Sequence, residues 1–257
     1  MWRLIYIFLI YALFAFQSTD VHGREVTELT YCYENKPVLP HFHGEGPTVP
    51  KQSPGPAIEI LKHLESISEN VRFNFIRLPW KRCLAAIEIG KVDAIVGRYH
   101  RLREFIAKYP KNSTGELDYN RKFSGSASCL IYPLGTNIKW NGFELELKEK
   151  LTMSVPSGYS IIDDMHKRGF AIYEASSVEK SHELLFKQRV DVSLTDCQMK
   201  SIPEGFVENP LPIKESVGYL MFSKQFYQRA SGVAEQLWNN LATFNKEAYY
   251  QKYEQQE

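Results

Sequence analysis

The sequence predicts an α/β protein built of two similar lobes, and three observations carry that prediction. Apolar runs with strand and helix periodicity alternate along the chain instead of clustering by type. One composite pattern occurs twice, as "EIGKVDAIVGR" (88 to 98) and "FKQRVDVSLTD" (186 to 196), each with a helix end, a basic residue, a Val-Asp pair and a short buried strand. A polar stretch rich in Gly and Ser, "KNSTGELDYNRKFSGSAS" after Pro110, lies between the copies and marks a lobe boundary. Two lobes are therefore expected in place of one continuous sheet. The 257 residues suffice for two small domains, and the 44% hydrophobic and 24% charged content suits a globular chain. A formal net charge of +1 provides no electrostatic footprint for nucleic acid.

The elements follow in order. "ELTYCY" (28 to 33) reads as a strand, and a loop rich in Pro and Gly runs from Lys36 to Pro56. Ile58, Leu61, Leu64 and Ile67 recur at helical spacing after a Pro-Gly-Pro start. Val71, Phe73 and Phe75 alternate as a strand does. A second helical stripe, Trp80, Leu84 and Ile87, closes at Gly90, and "VDAIV" (92 to 96) is a buried strand. This βαβαβ order implies parallel strands, because each connection has to cross over the sheet. In the second half "LTMSV" (151 to 155), "FAIY" (170 to 173) and "VDVSL" (190 to 194) are strands. A short helix from Ser160 to Arg168 and another capped by Ser177 and running to Gln188 separate them. Phe226, Ala230, Val233, Leu237, Leu241 and Phe244 then line one face of a last helix that has to lie on a core.

At the beginning, Met1-Trp2-Arg3, an apolar run from Leu4 to Phe16 and a polar tail describe a secretory signal peptide over residues 1–23, cleaved before Arg24 or, as runner-up, after Ser18. The reading kept beside it is an uncleaved membrane anchor. An exported chain permits disulfides. Cys32, Cys83, Cys129 and Cys197 allow three pairings, and the reading preferred from spacing alone is one bridge or a set of buried thiols. With no CxxC spacing, zinc or thioredoxin-like chemistry is not expected.

Several pieces together resemble the family 3 extracellular solute-binding proteins of bacteria, which feed amino acids and similar polar solutes to ABC importers. They are Gly55 and Glu59, "LPWKR" (78 to 82), "GKVDAIVG" (90 to 97), the Arg-rich run ending in "KYP" (108 to 110), "VPSGYS" (155 to 160), "QRVDVSLTD" (188 to 196) and "GYLMFSK" (218 to 224). The resemblance implies a type II periplasmic-binding fold, with two lobes joined by two crossovers near 126 to 132 and 217 to 220. Lobe 1 would comprise 24–126 and 219–257, lobe 2 residues 127–218. It also implies a monomer that partners the membrane subunits of an ABC importer from the periplasm and needs no cofactor.

The same resemblance assigns Asp196, which closes its strand in register with the family's "GRxDAxxxD" pattern, to the ligand's ammonium. The C-terminal edge of a parallel sheet is where open α/β folds bind ligands, and an N-cap role is the structural alternative. Asp93 and Asp191 sit at strand starts and read as turn or cap residues. "SGYS" contributes Gly158, Tyr159 and Ser160, with Ser160 placed on a ligand carboxylate or acting as an N-cap. Trp80, followed by Lys81 and Arg82, walls the pocket or begins a core stripe. The chain departs from the family pattern in "GRYHRLREFIAKYP": no Thr precedes an Arg, so Arg98, Arg101 and Arg103 compete for the ligand's carboxylate. Tyr33 and Phe42 are candidates for the stacking aromatic. His41, His43 and Glu45 alternate in a loop, for which solvation is preferred to metal binding. Asp163, Asp164 and His166 read as a solvated helix face. The alternatives to a solute receptor are a cyclohexadienyl dehydratase-like lyase using Asp196 or Glu59, and a partner that presents its ligand to a membrane sensor.

Overall fold

The computed structural model describes residues 26–197 and 201–255. The expected signal peptide lies outside the described residues. In the first lobe β1 (Thr27–Glu34), β2 (Val71–Leu78) and β3 (Ala94–Arg98) are parallel, linked through helices α1 (Pro56–Ser66) and α2 (Trp80–Glu88). In the second, β8 (Thr152–Pro156), β9 (Ala171–Ala175) and β10 (Val192–Asp196) repeat the arrangement with α3 (Ile162–Lys167) and α4 (Val178–Phe186). Each observed element lies within a few residues of its expected bounds.

Alternation explains why these strands are buried on both sides. Successive side chains of a strand point to opposite faces. Leu29, Tyr31 and Tyr33 pack on one side of the first sheet with Leu220 and Phe222, whereas Cys32, Ile95, Tyr219 and Met221 pack on the other. Helix α1 and helix α5 (Lys224–Leu241) cover the first side, and α2 covers the second. Leu237, Trp238 and Leu241 of α5 are fully buried, so the amphipathic last stripe returns to the first lobe.

Two ten-residue strands join the lobes. β5 (Ser124–Pro133) pairs first with β12 (Lys214–Ser223), over Ser124–Ser128, and then with β10 of the second lobe. β12 pairs with β5 over Lys214–Gly218 and then with β3 of the first lobe. Each crossover strand thus belongs to both lobes, and the strands run in the order β2-β1-β3-β12-β5-β10-β8-β9. The expected separation into two sheets is corrected in this respect: the lobes are distinct, but their sheets are hydrogen-bonded through the ribbon. Short strands β4 (Ala107–Lys108) and β11 (Phe206–Glu208) add to β12 and β5, and a hairpin of β6 (Ile138–Trp140) and β7 (Leu145–Leu147) packs on the second lobe.

The duplicated Val-Asp pair has the same structural role in each lobe. The Asp93 amide donates to the Thr30 carbonyl while the Thr30 amide donates to the Asp93 carboxylate, at 2.8 Å each. Asp191 and Thr152 repeat that exchange at 2.9 and 2.7 Å. Both acids therefore lock a third strand to a first one. The cysteines form two bridges, Cys32–Cys83 and Cys129–Cys197, which corrects the expectation of one bridge or buried thiols. Spacing could not reveal this, because each bridge spans more than fifty residues, 51 and 68, that the fold brings together.

Candidate functional site in the interlobe cleft

The repeat has a consequence at its last position. Aligned on Asp93 and Asp191, the two copies end on Arg98 and Asp196, the final residues of β3 and β10. Both line a cleft of about 170 Å³ between the lobes. Equivalent strand ends in facing lobes therefore supply one cation and one anion.

Asp196 is half-buried, and its Oδ2 lies 3.6 Å from His41 Nε2 across the cleft. Arg98 sends Nη2 to the same His41 Nε2 at 3.0 Å, while its Nη1 is buried without a hydrogen-bond partner among the described residues. His41 Nδ1 is 2.8 Å from the Tyr250 hydroxyl, on helix α6 (Glu247–Glu254). Burial pulls the imidazole below its usual range, an effect that Asp196 opposes and Arg98 reinforces. Glu34, the last residue of β1, accepts a 3.0 Å hydrogen bond from the Tyr159 hydroxyl of the opposite lobe. Its burial pushes the carboxyl up to about 7, and the Tyr159 hydrogen bond only partly counters this.

Arg103 is placed differently. It is 7% exposed, and it donates to the Arg98 carbonyl at 2.7 Å and, across the cleft, to the Gly158 carbonyl at 2.9 Å. Its guanidinium also lies over the Trp80 ring, 5.4 Å from the centroid, and Trp80 Nε1 donates to the same Gly158 carbonyl at 3.3 Å. Arg103 and Trp80 thus clamp the "SGYS" turn to the first lobe. Lys81–Glu174 at 3.0 Å and His100–Asp163 at 3.6 Å add further contacts between the lobes. The lobes are closed on one another.

Of the sequence-predicted residues, Asp196, Tyr159, Ser160, Trp80, Arg98 and Arg103 line the cleft, and Gly158 meets Trp80 and Arg103 through its carbonyl. Tyr33 and Arg82 do not line it. Tyr33 is 1% exposed inside the first lobe, with the Phe42 ring tilted against it at 5.0 Å and Arg77 over its face, because the odd positions of β1 face the core on the α1 side. Phe42 does line the cleft. Arg82 and Arg101 are exposed. Helix α3 begins two residues after Ser160 with no side-chain cap, so the N-cap role falls away. Glu59 accepts from the Tyr253 hydroxyl at 2.8 Å and holds α6 against α1, outside the cleft lining. Asp163 and Asp164 are more than a solvated face, since Asp164 pairs with Lys214 and Asp163 with His100. His43 packs on Tyr253 and Glu45 pairs with Lys36, so of the three residues weighed for a metal His41 alone lines the cleft. Glu34 and Tyr250 escaped sequence reasoning, and the expectation of a solvated His41 is corrected, since its ring is largely buried against Arg98 and Tyr250. Glu34 ends a strand as Asp196 does, which was the available signal.

Solved structures share this architecture. The substrate-binding protein of an amino acid ABC transporter superposes with a TM-score of 0.65 at 12% identity, over 90% of this chain and 98% of that one. The type II periplasmic-binding-protein fold is therefore present. The GluR0 ligand-binding core from Nostoc punctiforme in complex with L-glutamate has the same fold, with a TM-score of 0.63, 10% identity and 89% and 97% coverage. So does a histidine kinase sensor domain with similarity to periplasmic binding proteins, at 0.66, 11%, and 91% and 96%. No family model matches the sequence, and no curated protein does. Within the type II fold the cleft described above lies between the two lobes, at the carboxyl ends of the parallel strands.

Proposed function

We propose that this chain is a solute-binding protein which captures a small zwitterion, of the α-amino acid kind, between Arg98 and Asp196. The observation that carries this reading is the opposed charge at equivalent strand ends, with a buried Arg98 Nη1 still to be satisfied. A carboxylate on Arg98 gains charge-assisted hydrogen bonds, and an ammonium on Asp196 gains a contact strengthened by low dielectric. Arg98 is preferred to Arg103 as the anion's partner because Arg103 is committed to two carbonyls. Ser160 lines the cleft beside them. Lobes divided as 24–126 with 219–257, and 127–218, would hinge at the β5–β12 ribbon, and the receptor would act in the periplasm, as a monomer, delivering its solute to an ABC importer.

Thermal-shift screening of α-amino acids tests the reading, since a ligand that binds only the folded form raises the midpoint. Asp196→Ala and Arg98→Ala are expected to abolish the response of the best amino acid while the variants still unfold cooperatively. Full response in both variants overturns the site.

Presentation of the same solute to a membrane sensor is a second reading, supported by the sensor-domain likeness. Pull-down of importer subunits or of a sensor kinase from the native membrane separates the two. A lyase needs a proton-transfer group in the cleft, and Glu34, held near 7, has that character. Absence of product from prephenate and from arogenate removes that option.

A further inference from the structure

His41 stands between the two groups that the proposed solute would need. Its Nε2 is 3.0 Å from Arg98 Nη2 and 3.6 Å from Asp196 Oδ2, and its Nδ1 is 2.8 Å from Tyr250 Oη. Arg98 can only donate, so the contact at Nε2 requires a lone pair there. The neutral ring then carries its proton on Nδ1 and donates to the Tyr250 hydroxyl. Arg98, His41 and Tyr250 form a chain in which every group has a defined role.

A proton added at Nε2 reverses that chain. The lone pair that held Arg98 disappears, and the ring gains a second donor and a positive charge. Arg98 now repels it, and Asp196 in the opposite lobe becomes its partner. One proton exchanges a contact within the first lobe for a contact between lobes.

The backbone that carries the ring is held in place. The His41 amide donates to the Val38 carbonyl at 2.8 Å, and the His41 carbonyl accepts from the Ala57 amide at 3.2 Å. The charged or titratable groups facing the ring are Arg98 from β3, Asp196 from β10 and Tyr250 from α6. Glu34 lines the same cleft but is held by Tyr159 and titrates separately.

We propose that His41 sets the specificity of the cleft as an internal competitor: neutral, it leaves Asp196 to a solute ammonium; protonated, it occupies Asp196 and adds positive charge beside Arg98. Capture of a zwitterion therefore weakens as the medium acidifies, and the empty protein latches shut on its own imidazolium. This rests on the zwitterion reading given above and adds its regulation.

Two measurements test it on the mature chain. In the ligand-free protein, ¹⁵N ring shifts should show His41 as the Nδ1–H tautomer near neutral pH. Asp196→Asn should lower its midpoint by about one pH unit, the size expected of a lost neighbouring charge. A midpoint that ignores Asp196→Asn overturns the exchange of partners. Calorimetric titration with glycine, L-arginine and L-glutamate at about pH 8 and at about one pH unit below the ring's measured midpoint brackets the His41 titration, which burial sets below the usual imidazole range. The tightest of the three should lose about tenfold in affinity at the lower pH in the wild type and clearly less in His41→Gln, which keeps hydrogen-bonding capacity without charge and retains the pH dependence that Glu34, raised to about 7 in the same cleft, contributes to both proteins. Equal pH dependence in both proteins overturns the competition with the solute reading intact. Failure of all three probes to bind either protein at the higher pH overturns the solute reading itself and with it the competition, while the ring titration still reports the exchange.

Discussion

At Gly55 the backbone has φ +105°, and a Cβ there would lie 2.5 Å from the His41 carbonyl oxygen and 2.9 Å from Phe42 Cα. Both the conformation and the space require glycine. Gly55→Ala is expected to cost about 2 kcal/mol or more and to push the His41 loop into the cleft, measured as a lowered denaturation midpoint with weakened solute response. Glu34 supplies a pH signature. Its carboxyl is raised to about 7 in the folded protein, against 4.5 ordinarily, so between those values the folded form holds a proton that the unfolded form has lost. Stability contributed by that proton is complete below about 4.5 and is lost as pH rises to 7. Glu34→Gln, which keeps an acceptor for Tyr159, should thus stabilise the protein at pH 8 by up to about 3 kcal/mol and change little near pH 5, as thermal melts at the two pH values would report. The cleft position of Asp196 was legible in the sequence because it closes its strand in register with the family pattern. His41 and Tyr250 were not, since 209 residues separate them and neither sits in a periodic element that points at the other.

The β/α units were legible as elements because their apolar residues follow one period over a whole strand or helix turn. The crossover strands carry no such period, and only the family resemblance placed them, near 126 to 132 and 217 to 220. Ser124–Ser128 and Lys214–Ser216 are polar, and their stability comes from pairing with each other, a contact 90 residues apart in the chain for Ser126 and Ser216. Helix α6 was missed for a related reason. Its anchors are tyrosine hydroxyls, Tyr250 on His41 and Tyr253 on Gly55 and Glu59, so its stripe is amphipathic and not apolar. The end of β10 has its own support. Cys197, directly after Asp196, is bonded to Cys129 of β5, and its amide donates to the Ala127 carbonyl at 2.9 Å. The bridge closes a segment of 68 residues, for which the chain-entropy estimate is about 4 kcal/mol. Cys129→Ala/Cys197→Ala is expected to lower stability by about 2–4 kcal/mol in chemical denaturation and to weaken solute binding by loosening the strand end that carries Asp196.

In the molecule as a whole, closure rests on few contacts, and Gly158 is at their centre. Its carbonyl receives Trp80 and Arg103, its φ is +81°, and a Cβ would come within 3.2 Å of Leu84 and Lys81 and 3.4 Å of Trp80. Gly158→Ala is therefore expected to hold the lobes apart, visible as a larger radius of gyration by small-angle scattering and weaker solute binding, with each lobe still folded. The duplicated architecture was readable from the two Val-Asp copies. The closed arrangement was not, because the contacts that make it are single residues such as Tyr159 on Glu34 and Lys81 on Glu174.

The passage of β5 and β12 through both lobes also orders the protein's assembly. β12 completes the sheet of the first lobe, and α5 with Trp238 fills its core, yet both are encoded after the second lobe. A ribosome therefore releases a contiguous second lobe while the first still lacks β12 and two of its four α-helices, α5 and α6. Domains fold as units during synthesis, so the first lobe stays incomplete and pliant until β12, α5 and α6 have emerged.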